Sequence, residues 1–510
     1  MSILQPKILL VYPPNQLMDV EIPRPDGSLG PLYLAGSLRN AGFEVEILDA
    51  SVGSSNDNLR DTFFRRVLQP NGLIRIGMTP ERLREYLTQG GYDIVGISSN
   101  FTPQTNMALE VAKIAKEVNQ KTLVVAGGVN ARALSERFLM SNLVDVVILT
   151  EGEKIIVNLV RAWQENTSLN EVAGIKYMRA GLIITNPVTP EMISVDLDEL
   201  PFPAWDLLPF TKYDEINSPH GSITPGQRRR YAPIMTSRGC PFHCEYCHIG
   251  REKEASSSTR DIGLLRLKSI DRVMREAEIL RSLGVTHLYI EDDSLLARKP
   301  RIKDFFQRLT GLGMKISNVN GVNLIHFGIP TSDGRFKPDV EYLEIMKKAG
   351  FDEIVFPVES GNQRILNTYA SGKLQLDKFD VVELVREAVK VGITCPINMM
   401  VGFPDETMAE MLESVKLAQK LIDAGALYVT FFIPIPFPGS KLYHRAIADG
   451  NLSADFDPDI MNWKNAVMSN TTVPPEKVME FRDWAWETVN TEAYKRERKE
   501  RNTHDPRFAK

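Results

Sequence analysis

The chain has 510 residues, 43% of them hydrophobic and 25% charged, with a formal net charge of -5. That length allows two or three domains with separate cores, and the slightly acidic balance leaves no basic footprint for nucleic acid or an anionic membrane surface. No apolar run approaches the about 20 residues that a bilayer span requires, and the opening residues lack the pattern of a secretory signal, so with only four cysteines a reducing cytoplasmic setting is expected.

From Lys7 to about Trp163 short β-branched runs alternate with stretches of helical period. The runs predict strands over 8–11, 44–48, 93–97, 122–125 and 144–149, with helices over 32–40, 81–88, 104–118 and 131–140. Such alternation with apolar strands predicts an α/β fold, a doubly wound parallel sheet with helices on both faces. Ligands of these sheets bind beyond the carboxyl ends of the strands. There the chain carries Ser98, Ser99 and Asn100, then Gly127, Gly128 and Asn130, then Glu151, Gly152 and Glu153. Residues 51–80 read as an inserted loop over the same edge. A hairpin is expected over 174–185, and the proline-rich stretch to Arg230 reads as a domain connection in which 201–205 pack between domains.

From Tyr231 onward six strand–helix repeats follow, with strands near 233–236, 287–290, 315–319, 353–358, 393–401 and 428–432. That is short of a closed barrel, so an open, partial (β/α)6 barrel is predicted, with chemistry at the carboxyl ends of its strands. Three of the four cysteines, Cys240, Cys244 and Cys247, fall on the loop after the first strand. Three thiolates there suit an iron–sulfur cube with one iron left open; a Cys3His zinc site completed by His243 or His248 is the alternative. Other strand ends carry Glu291 and Asp292, Glu359 and Ser360, and a turn at Gly402. Cys395, inside the fifth strand, reads as a core residue, and His287 and His326 as structural. Beyond Pro438 a small helical region is expected, capping the barrel mouth with a helix near 479–494. The expected division is 1–170, 171–230, 231–437 and 438–510.

The first third resembles the cobalamin-binding domain that precedes many radical S-adenosylmethionine enzymes. The matching stretches are Gly30 to Ala35, the Ser98 region, Gly127-Gly128 and Glu151-Gly152-Glu153. The resemblance implies cobalamin against Ser98, Ser99, Gln104, Gly127, Gly128, Asn130, Glu151 and Gly152. The Asp-x-His-x-x-Gly motif of other cobalamin proteins is absent, and no histidine precedes His220, so no histidine of this domain is expected on cobalt. The Cys-x3-Cys-x2-Cys loop, with Tyr246 before its last cysteine, resembles the radical S-adenosylmethionine superfamily. That likeness implies a [4Fe–4S] cluster on Cys240, Cys244 and Cys247. It also implies S-adenosylmethionine held by Tyr246, by Glu291 and Asp292 at its amino group, by Glu359 and Ser360 at its ribose, and by Gly402 and Phe432 at its adenine.

The implied activity is methyl transfer from S-adenosylmethionine through cobalamin to an unactivated carbon or a phosphorus of a small or medium-sized biosynthetic metabolite. A flavodoxin- or ferredoxin-type one-electron reductant is the implied partner, with no nucleic acid and no membrane. Ring closure, rearrangement or oxidation with the same cofactors is the first alternative. A methylthiotransferase is disfavoured because no cysteine precedes Cys240, and a non-catalytic metal-binding protein is the remaining alternative.

Overall fold

The computed structural model describes residues 5–25, 27–217, 229–254, 262–318 and 320–504; His220 and Arg228 lie outside them. Two compact units divide the chain, one formed by residues up to 217 with 252–254 and 262, the other by 229–251 and 263–504.

In the first unit the apolar runs form strands β1 (Ile8–Tyr12), β2 (Val45–Asp49), β3 (Ile94–Ser98), β4 (Leu123–Gly127) and β5 (Val146–Ile148). All five pair in parallel, in the order β5-β4-β3-β1-β2. The interior residues of β1, β3, β4 and β5 are almost wholly buried, as strands covered on both faces must be, whereas the edge strand β2 exposes Glu46. The sequence direction reverses between β1 and β3, which opens a crevice at their carboxyl ends. Local signals set the helix limits. The Thr79 hydroxyl accepts from the Arg82 N–H, Pro80 takes the first helical position, and the helix Pro80–Gly90 stops at Gly91.

Four expectations are corrected here. The hairpin, β6 (Ile175–Arg179) and β7 (Leu182–Thr185), does not stand in a linker: β6 pairs antiparallel with β5 and extends the main sheet to seven strands. Its Ile175 and Tyr177 join the core. Residues 51–80 are not one loop, because Val67–Leu68 and Ile74–Ile76 form a small antiparallel sheet with Asn15–Leu17, tied to the helix Thr105–Val118 by Arg75 and Glu110 at 2.6 Å. The helix expected over 131–140 breaks at Leu134 into Val129–Ala133 and Ser135–Met140. The 201–205 segment packs within the first unit: the Ala204 N–H donates to the Leu32 carbonyl at 3.0 Å, and Trp205 is 1% exposed.

The barrel of the second unit is built, among the described residues, from six strands in sequential order: β8 (Tyr231–Ile234), β9 (His287–Ile290), β10 (Lys315–Asn318), β11 (Phe356–Glu359), β12 (Pro396–Met400) and β13 (Tyr428–Phe432). They form two parallel triplets, β8-β9-β10 and β11-β12-β13, and a single parallel bridge, Ile316 to Phe351, marks the step between them. The barrel is therefore open, as the repeat count predicts. In β12 and β13, Ile397, Met399, Val429 and Phe431 are fully buried, whereas Asn398, Met400, Thr430 and Phe432 are half-exposed. That period of two gives each strand a packed face and a face open to solvent.

An open barrel leaves β13 with an unpaired edge, which is costly unless covered. The region after 437 covers it. The Asn490 amide donates to the Val429 carbonyl at 2.9 Å and its oxygen accepts from the Val429 N–H at 2.8 Å. The Arg482 guanidinium donates to the Phe431 carbonyl at 3.2 Å from the helix Pro475–Val489, while the Ile433 N–H donates to the Trp463 carbonyl at 3.0 Å. The expected cap thus serves as an edge seal. Asn490 is 4% exposed, so Asn490→Ala strands two backbone groups of β13. It should lower stability by about 1–3 kcal/mol, read by urea unfolding, with a smaller loss for Asn490→Gln.

Candidate active site

The cysteine loop begins where β8 ends, and one buried carboxylate organises that start. Asp292, wholly buried after β9, accepts from the Thr236 N–H, the Thr236 hydroxyl and the Ser237 hydroxyl, each at 2.6 Å. Burial pushes its carboxyl up, and these donors pull the other way. The Thr236 carbonyl in turn accepts from the Lys268 N–H and from Arg301, both at 3.0 Å. Ser237 and Arg238 then pair antiparallel with Leu267 and Arg266, and the chain swings out at Gly239. Gly239 has φ of +80°, and a Cβ there would lie 2.3 Å from the Leu264 carbonyl oxygen, so only glycine fits.

Cys240 follows, its N–H donating to the Gly263 carbonyl at 3.1 Å. Cys244 is buried, Cys240 and Cys247 are partly so, and none of them is in a disulfide. Burial pushes the Cys247 thiol up to about 12 and raises that of Cys244 as well. Metal binding at such thiols must release protons. Thiolates sharing one zinc lie within about 4 Å of one another. Among the described residues no three His, Cys, Asp or Glu side chains gather for a single ion. Three free cysteines on one loop suit the corners of an iron–sulfur cube.

Around this loop the structure assembles groups from distant strand ends. Tyr246 donates its hydroxyl to Glu359 at 2.8 Å, and Glu359 also accepts from Lys373 at 2.9 Å. Glu359 ends β11 at φ of +69°, beside a register shift in its pairing with β12. A non-glycine residue in that region is strained, and such strain collects at functional sites. The ring of Phe403 stacks on Tyr369 at 4.2 Å and lies 6.2 Å from that of Tyr246, joining the Gly402 turn to the cysteine loop. Both the Gly402 and Phe403 N–H groups donate to Glu406, at 2.7 and 3.1 Å. Phe432 is half-exposed, with its ring 5.3 Å from that of Trp463.

Two sequence assignments to S-adenosylmethionine are corrected. Asp292 has its carboxylate committed to Thr236 and Ser237, so it positions the cysteine loop and does not face a ligand. Ser360 is wholly buried, its hydroxyl 3.3 Å from that of Ser414 and accepting from the Asn362 N–H at 3.1 Å, a turn-forming role. Glu291, partly exposed, remains at the mouth with its N–H donating to the Ile234 carbonyl. Lys373 and Arg301 carry no sequence signal, because neither has a spacing relation to the cysteines, and Glu406 is visible in sequence only as a polar residue of the Gly402 turn. Cys395 is fully buried and His287 bonds Ser317 at 2.7 Å.

In the first unit the expected cofactor edge divides likewise. Gly127, at the end of β4, has open space where a Cβ would stand, whereas Gly128, at φ of +100°, has the Ser99 carbonyl oxygen 2.5 Å from that position. Backbone there can approach a bulky ligand closely. Ser99 and Asn130 are instead internal ties: the Asn130 amide donates to the Ser99 and Thr105 hydroxyls, both at 2.9 Å. Among the described residues the buried Asn130 Oδ1 has no partner. Gln104 accepts from the Gln16 N–H at 2.8 Å and donates to the Gln16 carbonyl at 2.5 Å, which commits it to the Asn15–Leu17 strand.

A Rossmann-like domain with a glycine-lined edge, together with an open parallel barrel carrying three cysteines after its first strand, defines the class of radical S-adenosylmethionine enzymes with a cobalamin domain. The family comparisons agree. Residues 234–418 match the Radical SAM superfamily, and residues 27–160 match the B12 binding domain. An uncharacterized methyltransferase of Pyrococcus horikoshii is 30% identical over 95% of this chain and 90% of its own. The cytidylyl-2-hydroxyethylphosphonate methyltransferase of Streptomyces wedmorensis is 26% identical, covering 91% of this chain and 86% of its own. The solved structure of the cobalamin-dependent S-adenosylmethionine radical enzyme OxsB, with aqua-cobalamin and S-adenosylmethionine bound, shares the fold at a TM-score of 0.67 and 18% identity, covering 99% of this chain and 72% of its own. The chain belongs to the cobalamin-dependent radical S-adenosylmethionine enzymes.

Burial pushes the Glu406 carboxyl from its ordinary 4.5 up to about 8, against the two N–H donors, and its Oε1 has no partner. A carboxyl raised on folding contributes stability that is full below its unfolded value and lost as pH rises through the folded one. Wild-type melting temperature should therefore fall between about pH 5 and about pH 8, and Glu406→Gln should flatten that fall. Asp292→Asn, by contrast, should cut the iron retained after anaerobic reconstitution, since its amide cannot accept from all three donors.

Proposed function

We propose that this enzyme transfers a methyl group from S-adenosylmethionine, by way of cobalamin, to an unactivated carbon or a phosphorus of a small biosynthetic metabolite. The observation that carries the reading is the cysteine triad at the carboxyl end of β8, held beside Tyr246 and Glu359, in a chain that also contains a cobalamin domain. When bound, the cluster supplies an electron to S-adenosylmethionine, and cobalamin carries the methyl group.

The chain's own residues then position and exclude. Cys240, Cys244 and Cys247 hold three corners of the cluster and leave the fourth to ligand. Glu291 meets the positive amino group of S-adenosylmethionine, Glu359 its ribose hydroxyls, and the Gly402 turn with Phe432 flanks its adenine, while Tyr246 fixes the Glu359 carboxylate. Ser98, Gly127, Gly128, Glu151 and Gly152 border the cobalamin, with Ser99, Asn130 and Gln104 holding that edge in shape. No histidine precedes His220, so the first 219 residues hold the cofactor without an imidazole on cobalt. An external one-electron donor of flavodoxin or ferredoxin type completes the system in a reducing compartment. Among the described residues no helix is long and apolar enough to cross a membrane.

Reconstituted anaerobically, the protein should take up about four iron and four sulfide per chain and release 5′-deoxyadenosine from S-adenosylmethionine under reduction. Cys240→Ala, Cys244→Ala and Cys247→Ala should lose both properties. In cells fed methyl-labelled methionine, expression should yield a labelled product heavier than its precursor by one methylene. A product that gains no carbon would replace methyl transfer with ring closure or oxidation.

A further inference from the structure

The helix Gln363–Tyr369, after β11, ends in an unusual way. The Ala370 and Gly372 N–H groups both turn back to the Leu366 carbonyl at 3.0 Å, and Ser371 and Gly372 are consecutively left-handed, at φ of +61° and +58°. Two successive residues of this kind reverse the chain within one turn, a tight helix stop. The turn lies directly on the cysteine loop. The Ser371 hydroxyl accepts from the His243 N–H at 3.2 Å, and the Tyr369 carbonyl accepts from the Glu245 N–H at 2.8 Å. Two backbone groups between the cysteines are thus held by residues some 125 positions away.

What the turn delivers is a charge. Lys373, the next residue, is turned inward to the ion pair with Glu359 at 2.9 Å, where both side chains are 10% exposed. Glu359 shares the same oxygen with the Tyr246 hydroxyl, one residue from Cys247. Burial opposes the lysine's charge, but the ion pair with Glu359 outweighs it, so the ammonium stays protonated. Surface lysines nearly always reach water. Enclosing this one needs a strained turn and a strained Glu359, and one ion pair already satisfies that carboxylate. The arrangement has a second neighbour, the cysteine loop itself, which Ser371 meets at His243 and Glu359 meets at Tyr246.

We propose that Lys373 is the buried cation that sets the reduction potential of the cluster held by Cys240, Cys244 and Cys247, and that the Ser371–Gly372 turn serves to place it there. The inference rests on the cluster reading given above. Reduction adds one electron, taken from the external donor, to a cube that with three thiolates is already net negative. A fixed positive charge nearby, in a site of low dielectric, stabilises the reduced form and raises the potential. Lys373 is a positioning residue in this sense: it touches neither substrate nor the reacting atoms.

The test uses full-length wild type and the variants Lys373→Met, Lys373→Gln and Lys373→Arg, reconstituted anaerobically without S-adenosylmethionine. Iron and sulfide are assayed, and the cluster is titrated with dithionite while its reduced signal is followed by electron paramagnetic resonance. The neutral variants should load as wild type does, with a midpoint displaced to more negative potential and a smaller reduced fraction at any fixed donor potential; Lys373→Arg should stay near wild type. Neutral variants that titrate with wild type overturn the proposal. An equal displacement in Lys373→Arg would mean lost packing, not lost charge, and overturns it too. If neither neutral variant retains iron, retention by Lys373→Arg supports the need for a cation, and its failure as well reduces Lys373 to a packing role. A wild-type chain that binds no sulfide would sink the cluster reading itself, and this proposal with it.

Discussion

The active-site unit depends on a carboxylate that never meets the ligand. Asp292 takes three donors from Thr236 and Ser237 in a place without water, and leaving those donors unpaired would cost more than the bonds themselves contribute. The register of the cysteine loop is set from there. Gly239 can then leave the strand, and Cys240, Cys244 and Cys247 arrive on one side of β8. Buried, hydrogen-bonded polar groups are worth their desolvation where they specify one geometry; three thiolates that must meet three irons need such a geometry.

A second constraint follows from an unclosed barrel. Six parallel strands leave β13 with an open edge, and the protein covers it with Asn490, Arg482 and the Trp463 backbone. The same region supports the Gly402 turn, since a Cβ on Gly402 would lie 2.2 Å from Val478. Edge protection and support of the Gly402 turn are thus served by one helix, Pro475–Val489. One face of β12 and β13 is left half-exposed.

Charge arrangement ties these parts to function. Around the cysteines the structure places a buried lysine, a strained glutamate and a tyrosine in one hydrogen-bonded chain, from two strand–helix units far apart in sequence. Each would be unfavourable alone in a dry site. Together they fix the Glu359 carboxylate in place and put a positive charge beside the cysteine loop.

The sequence by itself determined the two folds, the strand positions within a few residues, the cysteine triad and the class of chemistry. These are carried by short-range signals: apolar period, glycine and proline punctuation, and the spacing of three thiols on one loop. The sequence also placed Glu291, Glu359 and Gly402 at strand ends, because parallel strands put their carboxyl ends on one rim. Tertiary structure alone decided which of the polar residues on that rim are spent internally. Asp292, Ser360, Gln104 and Asn130 look like ligands in a linear reading, yet their partners are Thr236, Ser414, Gln16 and Ser99, fixed only when distant strands meet. It also decided that the 175–185 hairpin completes a sheet, since an edge strand and a linker hairpin share one local pattern. Lys373 was hidden for the same reason: a lysine after a serine–glycine turn reads as solvated until the fold shows that the turn faces the cysteines.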